Sequence, residues 1–114
     1  MPAINKSLMA GSTALMVLHL IAERDMYGYE VVRELEQRSN SVFSLKEGTL
    51  YPVLHSLEND GYVQSYMQTA ENGKPRKYYR VTQKGRKTLT EKKAEWAVFS
   101  GGVNQVLGGL CHEA

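Results

Sequence analysis

The first third of the chain carries apolar residues at the three- and four-residue steps of two amphipathic helices. The first helix is predicted from Ser7 to Glu23, with an apolar face made of Leu8, Ala14, Leu15, Leu18, Ile21 and Ala22. The pattern breaks at Arg24-Asp25-Met26. It then resumes, up to about Ser39-Asn40-Ser41, with Tyr27, Val31, Val32 and Leu35. Aspartate accepts hydrogen bonds from the free amides at a helix start, so Asp25 is predicted to cap the second helix.

A third amphipathic helix is predicted from about Gly48 to Asn59. Its apolar positions follow the i, i+3, i+4, i+7 pattern through Leu50, Val53, Leu54 and Leu57. Pro52 fits this helix only in the opening turn, where an amide has no helical partner to lose. We therefore expect the cap near Thr49 and the end of the helix at Asp60-Gly61.

Two segments with aromatic and β-branched residues follow, and they predict a β-hairpin. They run from Tyr62 to Met67 and from Arg76 to Thr82, with Asn72-Gly73 as a turn signal between them. Thr82 is then placed to cap a last, long helix. The predicted fold is therefore mainly α with a small β-hairpin.

The last helix carries a heptad seam that predicts dimerisation. Its apolar residues, spaced by 7, 3, 4, 3 and 4, are Leu89, Trp96, Phe99, Val103, Val106 and Leu110. A small three-helix core leaves such a stripe uncovered, so we expect it to pair with a second copy. Gly101-Gly102 and Gly108-Gly109 weaken the helix and are expected to mark a kink or a close helix crossing.

Length and composition fit one compact domain inside the cell. The chain has 114 residues, of which 42% are hydrophobic and 23% charged. No apolar run approaches the roughly 20 residues that cross a bilayer, and no secretory signal is expected. One cysteine, Cys111, cannot form an internal disulfide, which agrees with a reducing compartment. We predict a cytoplasmic protein that makes no contact with a membrane.

Positive charge is concentrated in the hairpin and the start of the last helix. Between Lys74 and Lys93, nine basic residues accompany one acid, Glu91, whereas the formal charge of the whole chain is only +2. A local excess of this kind attracts polyanions. A charged hairpin with a solvated helix face explains the same pattern without a partner.

Three helices followed by a basic hairpin is the order of a winged helix-turn-helix, in which the third helix enters the DNA major groove. The face of the third helix opposite its apolar stripe contains Gly48, Pro52, His55 and Asn59, with Tyr51 beside it. His55 and Asn59 are candidates for base contacts and Tyr51 for a phosphate contact. Any exposed helix face is polar, however, so the stripe alone does not decide the function.

The hairpin, or wing, supplies the second set of candidate DNA contacts. Lys74, Arg76 and Lys77 flank a turn without an acid between Asn72 and Arg80, which suits contact with phosphates or a narrow minor groove. Lysine also protects an exposed sheet edge from pairing, and both roles are compatible.

Four sequence motifs resemble the PadR family of bacterial transcriptional regulators. They are Tyr27-Gly28-Tyr29-Glu30, Gly48-Thr49-Leu50-Tyr51-Pro52-Val53-Leu54, Leu57-Glu58-Asn59-Asp60-Gly61-Tyr62-Val63 and Arg76-Lys77-Tyr78-Tyr79-Arg80-Val81-Thr82-Gln83-Lys84-Gly85. The resemblance covers about Leu8 to Trp96. It implies a dimeric repressor that binds an inverted-repeat operator, with DNA contacts from Thr49, Tyr51, His55, Lys74, Arg76 and Lys77.

The chain resembles the shorter branch of this family, which divides it into a winged helix-turn-helix domain (residues 1–82) and a C-terminal dimerisation helix (residues 83–114). In some members of that branch, a tryptophan on the last helix faces its twin and stacks flat aromatic ligands, and Trp96 occupies the matching place. Some of those members carry a second aromatic residue at the end of the first wing strand, where this chain has Met67. Simple packing of Trp96 in the seam is the alternative.

No catalytic or cofactor site is expected. His19, His55 and His112 are far apart in sequence, with His19 expected in the core, and Cys111 beside His112 lacks partners at metal-site spacing. The leading hypothesis is a sequence-specific repressor. The alternative is a winged-helix module whose basic hairpin binds an acidic protein, and the dependence of binding on salt and DNA sequence separates the two.

Overall fold

The computed structural model describes residues 11–108 and confirms a winged helix-turn-helix followed by a long C-terminal helix. The elements are α1 (Ser12–Glu23), β1 (Met26–Tyr27), α2 (Gly28–Arg38), α3 (Glu47–Asn59), β2 (Val63–Thr69), β3 (Pro75–Val81) and α4 (Gln83–Val106). The start predicted for the first helix, Ser7, lies outside the described residues.

α1 is the centre of the core. Leu18 and Ile21 are buried there as predicted, together with Val17 and Leu20, which the predicted apolar face did not include. The other described members of that face, Ala14, Leu15 and Ala22, are partly buried against this core. Around them pack the buried faces of the other helices and the inner face of the sheet, including Val31, Leu35, Leu50, Leu54, Leu57, Val63 and Tyr79. This packing fixes α3 and the wing on one rigid support.

The predicted cap of α2 is wrong. The N-cap is Tyr27, and the Glu30 carboxylate accepts the Tyr27 backbone N–H at 3.2 Å, as in a capping box. Asp25 instead accepts a hydrogen bond from the Tyr66 hydroxyl at 2.6 Å and one from Arg80 at 3.3 Å. Asp25 therefore links the start of α2 to the wing.

The predicted cap of α3 is also wrong. The helix begins at Glu47, because the amides of both Thr49 and Leu50 already bond to the Lys46 carbonyl at 3.0 Å. Thr49 is thus a helical residue, and Pro52 lies inside the helix rather than in its opening turn. Since proline lacks an N–H, Pro52 cannot close the helical bond to the Gly48 carbonyl four residues earlier.

The wing is confirmed as an antiparallel pair in register from Val63↔Val81 to Thr69↔Pro75. A third strand, β1, was not predicted because it has only two residues. It pairs with β3 through Met26↔Tyr79 and Tyr27↔Tyr78. The strand order is β1-β3-β2, so β1 connects the helical core to the middle strand of the wing.

α4 starts as predicted, because the Thr82 hydroxyl accepts the Gly85 amide at 3.0 Å. The helix continues through Gly101-Gly102 to Val106. Gly108 follows with a φ of 107°, the left-handed conformation in which glycine commonly ends a helix.

Candidate nucleic-acid interface

The outer face of α3 displays the four residues predicted to contact DNA. Leu50, Leu54 and Leu57 hold the opposite face in the core. Thr49, Tyr51, His55 and Asn59 are all exposed, as are Glu47, Gly48, Pro52 and Ser56. The structure therefore gives α3 the geometry that insertion into a groove requires: one anchored face and one polar, accessible face.

Tyr51 is held against the first turn of α2. A Cβ added at Gly28 would lie 3.5 Å from both Cε1 and the hydroxyl oxygen of Tyr51, so even an alanine at position 28 would be in van der Waals contact with the ring. The ring is 41% exposed. Its hydroxyl is thus positioned beside the first turn of α2, where the helix dipole places partial positive charge.

A cleft of about 270 Å³ opens between the starts of α2, α3 and β3. It brings together three predicted DNA contacts, Tyr51, Arg76 and Lys77, with Gly28 and Tyr29 from the first turn of α2. One acid, Glu47 at the start of α3, also lines the cleft. Two cations against this one acid leave a positive charge, which together with the Tyr51 hydroxyl and the start of α2 suits an anion such as a backbone phosphate. Thr49, His55, Asn59 and Lys74 do not line this cleft.

Arg76 is fixed on one face of the wing by aromatic stacking. Its guanidinium lies 4.4 Å from the centre of the Tyr27 ring. Tyr27 meets Tyr78 edge to face at 5.4 Å, and Tyr78 stacks on Tyr66 at 5.7 Å. The Tyr66 hydroxyl donates to Asp25, and this hydrogen bond, together with burial, raises the pKa of Tyr66. Arg76 is therefore held in place by this row of rings, with its N–H groups available for hydrogen bonds.

Lys77 has different neighbours, since successive side chains of a strand alternate between faces. Its ammonium lies 4.0 Å from the Glu58 carboxylate and 5.7 Å from the centre of the Tyr79 ring. Burial raises the pKa of Tyr79, and the charge of Glu58 raises it further. Lys74, at the turn, is exposed, and its backbone amide bonds to the Asn72 side chain at 3.0 Å.

Sequence reasoning assigned no role to Glu58, although it lies on α3 beside the predicted contacts. Glu58 lies in one of the four motifs, but the resemblance gives it no DNA contact, and its importance depends on which strand residues face it. Only the register of β2 and β3 reveals that Ser65 and Lys77 are its neighbours.

The predicted seam of α4 divides into a buried and an exposed part. Leu89 was assigned to dimerisation, but it is only 8% exposed and belongs to the core of its own protomer. Phe99, Val103 and Val106 are 63%, 39% and 85% exposed. Leu110 lies outside the described residues. We call Phe99, Val103 and Val106 the apolar stripe.

Trp96 precedes the apolar stripe and is 47% exposed. Its ring centre lies 5.9 Å from that of Phe99. It borders two largely apolar clefts against α1, of about 380 and 550 Å³. Trp96 is therefore accessible in the single chain, on the same side of α4 as the apolar stripe.

Within residues 11–108, no cluster of three histidine, cysteine or acidic residues has the arrangement of a metal site. His19, expected in the core, is instead half-buried at the surface, 3.0 Å from Glu23 and 3.3 Å from Lys93. Cys111 and His112 lie outside the described residues. None of the helices that the structure describes is both long and apolar enough to cross a membrane.

The family model described as "Transcriptional regulator PadR-like family" matches residues 17–91. The transcriptional regulator Rv3488 of Mycobacterium tuberculosis is 35% identical over 100 residues, which is 88% of this chain and 87% of that protein. A solved transcriptional regulator from Clostridium thermocellum is 32% identical with a TM-score of 0.80, covering 90% of this chain and 97% of that one. A PadR-like regulator from Bacillus cereus is 29% identical, also with a TM-score of 0.80, covering 91% and 99%.

Proposed function

Since the chain belongs to the PadR-like family of transcriptional regulators, we propose that it is a repressor that binds an inverted-repeat DNA operator as a homodimer. The observation that carries this proposal is the cleft in which Tyr51, Arg76 and Lys77 meet the start of α2, next to the exposed face of α3. The proposed mechanism requires no cofactor and no catalysed reaction. We propose that the protein acts in the cytoplasm, where it meets its DNA operator.

Base reading is assigned to α3 and positioning to the cleft and the wing. With a phosphate in the cleft, Tyr51, Arg76 and Lys77 fix the orientation of α3 on the duplex. His55 and Asn59 then face base edges, with Thr49 at the start of the same exposed face. Lys74 extends the contact with phosphates from the turn of the wing. Phosphate contacts position the protein, whereas base contacts supply the sequence information.

Dimerisation is assigned to the apolar stripe. Exposed apolar residues in line on one helix favour burial against a second copy. A two-fold dimer presents two α3 helices, which matches an operator whose half-sites are inverted. In this division residues 1–82 bind DNA and residues 83–114 form the dimerisation helix, whose first turns also pack in the core through Leu89.

Substitutions of His55 and Lys77 are expected to separate base reading from positioning. Lys77→Ala should weaken binding to the operator and to a mixed-sequence duplex alike, and make the salt dependence shallower by about one unit in the log–log slope. His55→Ala should weaken operator binding selectively, by about 1–3 kcal/mol if it contacts a base. Fluorescence anisotropy at several salt concentrations measures both effects.

Equal losses on both duplexes for His55→Ala would remove its role in base reading. Wild-type protein that binds every duplex equally but binds an acidic protein more tightly would contradict the proposed function as a whole. It would favour the winged-helix interaction module.

We further propose that a small aromatic effector binds beside Trp96 and releases the operator. The exposure of the indole and the apolar clefts on either side support this site. In the dimer two Trp96 rings would frame a slot for a planar dye or aromatic cation, through stacking and cation–π contacts. The effector would change operator affinity only if it prefers one spacing of the two α3 helices.

Titration with planar dyes should quench the emission of Trp96 saturably, because it is the one tryptophan of the chain. Trp96→Phe, which keeps an apolar ring, should weaken binding severalfold, and Trp96→Ala should abolish it while the dimer persists. Dye binding is followed by the dye's own absorbance in the two variants. Loss of the dimer in Trp96→Ala would instead assign the indole to packing.

A further inference from the structure

An acid lies on the side of α3 that carries the proposed DNA contacts. Glu58 follows Tyr51 by seven residues and His55 by three, so all three share one side of the helix. Its side chain is 33% exposed. A carboxylate at this position repels phosphate, so its presence requires an explanation from its contacts.

The two carboxylate oxygens of Glu58 face the two strands of the wing. One accepts a hydrogen bond from the Ser65 hydroxyl of β2 at 2.6 Å. The other lies 4.0 Å from the ammonium of Lys77 on β3. Glu58 thus connects α3 to both strands, and the Ser65 bond keeps the second oxygen directed at Lys77.

Lys77 is consequently placed between a protein carboxylate and the proposed phosphate cleft, which it also lines. The ring of Tyr79 lies near its ammonium on a further side. A phosphate must compete with Glu58 for this cation. This competition lowers the binding free energy that a contact between Lys77 and a phosphate contributes, whatever the DNA sequence.

We propose that Glu58 is a specificity-determining residue of the DNA interface, which lowers the affinity for duplexes without the operator sequence by holding the Lys77 ammonium on the protein. On the operator, base contacts of α3 fix the register, so the phosphate near Lys77 has one position. On other sequences no register is fixed, and a mobile lysine would find a phosphate in many orientations. Glu58 therefore lowers the affinity for non-operator DNA more than the affinity for the operator.

This inference rests on the proposed DNA binding, and Glu58→Gln tests it. Glutamine keeps an oxygen that accepts from Ser65 but removes the charge that holds Lys77. Two probes of about 30 base pairs are used: a mixed-sequence duplex and the tightest duplex selected from a random library by the wild-type protein. At about 0.1 M salt the variant should bind the mixed duplex on the order of 5-fold more tightly, because Lys77 no longer has to leave a carboxylate to reach a phosphate. The gain on the selected duplex should be smaller.

Glu36→Gln is the matched control. Glu36, on α2, also accepts a hydrogen bond from a serine hydroxyl, that of Ser44 at 3.4 Å, and its replacement removes the same charge. Binding of both duplexes should be unchanged in this control. A gain equal to that of Glu58→Gln would mean that only net charge matters, and would overturn the inference.

The Lys77→Ala background decides whether Glu58 acts through Lys77. The gain on the mixed duplex should disappear when Glu58→Gln is combined with Lys77→Ala. A gain that persists, or a selective loss of operator binding in Glu58→Gln, would overturn the inference and make Glu58 a direct contact. If the wild-type protein enriches no sequence from the random library, the proposed function fails rather than this inference. The library selection is therefore completed before any variant is compared.

Discussion

Replacing Val103 and Val106 together with glutamate is expected to dissociate the dimer and to weaken operator binding by at least about 100-fold. In the dimer, two introduced carboxylates on each helix would be buried away from water. An apolar interface offers them no charged or hydrogen-bonding partner, so the free energy of desolvation is not recovered. Without the dimer, each half-site is bound by a separate protomer, and the gain from linking two half-sites is lost. Light scattering measures the mass, and anisotropy with the selected duplex measures the affinity.

Ala94→Glu with Ala97→Glu is the matched control. These residues have the same spacing and are exposed on the side of α4 opposite the apolar stripe, so two glutamates there should leave mass and affinity unchanged. An unchanged dimer in the Val103 and Val106 variant would show that the apolar stripe is not the interface. A soluble monomer that still binds the operator with wild-type affinity would contradict the need for two half-sites.

Gly85→Ala is expected to destabilise the fold by about 3 kcal/mol, despite the better helix propensity of alanine. A Cβ at Gly85 would lie 2.1 Å from the backbone carbonyl oxygen of Tyr62 and 2.9 Å from a methyl group of Val81. Tyr62 is held there because its carbonyl also accepts the Thr82 amide at 3.0 Å. The start of α4 would therefore have to move away from the wing.

Thermal unfolding followed by circular dichroism measures this loss. Gly48→Ala is the control, since a Cβ at Gly48 meets nothing within 4 Å. Its stability should match or slightly exceed that of the wild type. A Gly85→Ala protein as stable as the wild type would show that α4 and the wing are not packed as described.

Elements with a long apolar period could be predicted from the sequence. α1, α2, α3 and α4 each repeat apolar positions over several turns, and Thr82 gave the start of α4 correctly because its hydroxyl acts locally. β1 escaped prediction because two residues show no period. Asp25 was misassigned because it bonds to Tyr66, a partner distant in the sequence.

The site could be predicted only in part, for a similar reason. The helical period placed Tyr51, His55 and Asn59 on one exposed face of α3, and the structure agrees. Apolar residues of α4 repeat with the same period where the helix packs in its own protomer and where it is exposed. The sequence therefore could not show that Leu89 is buried in the core. Glu58 became visible only when the register of the wing placed Ser65 and Lys77 beside it.

Selection of duplexes from a random-sequence library by the wild-type protein tests the central claim most directly. A dimer with two α3 helices should enrich an inverted repeat whose half-site centres lie about one helical turn, or a small multiple of it, apart. The enriched duplex should bind about a thousandfold or more tighter than mixed sequence at physiological salt. Enrichment of no sequence, or of a single unrepeated site bound by one protomer, would contradict the account.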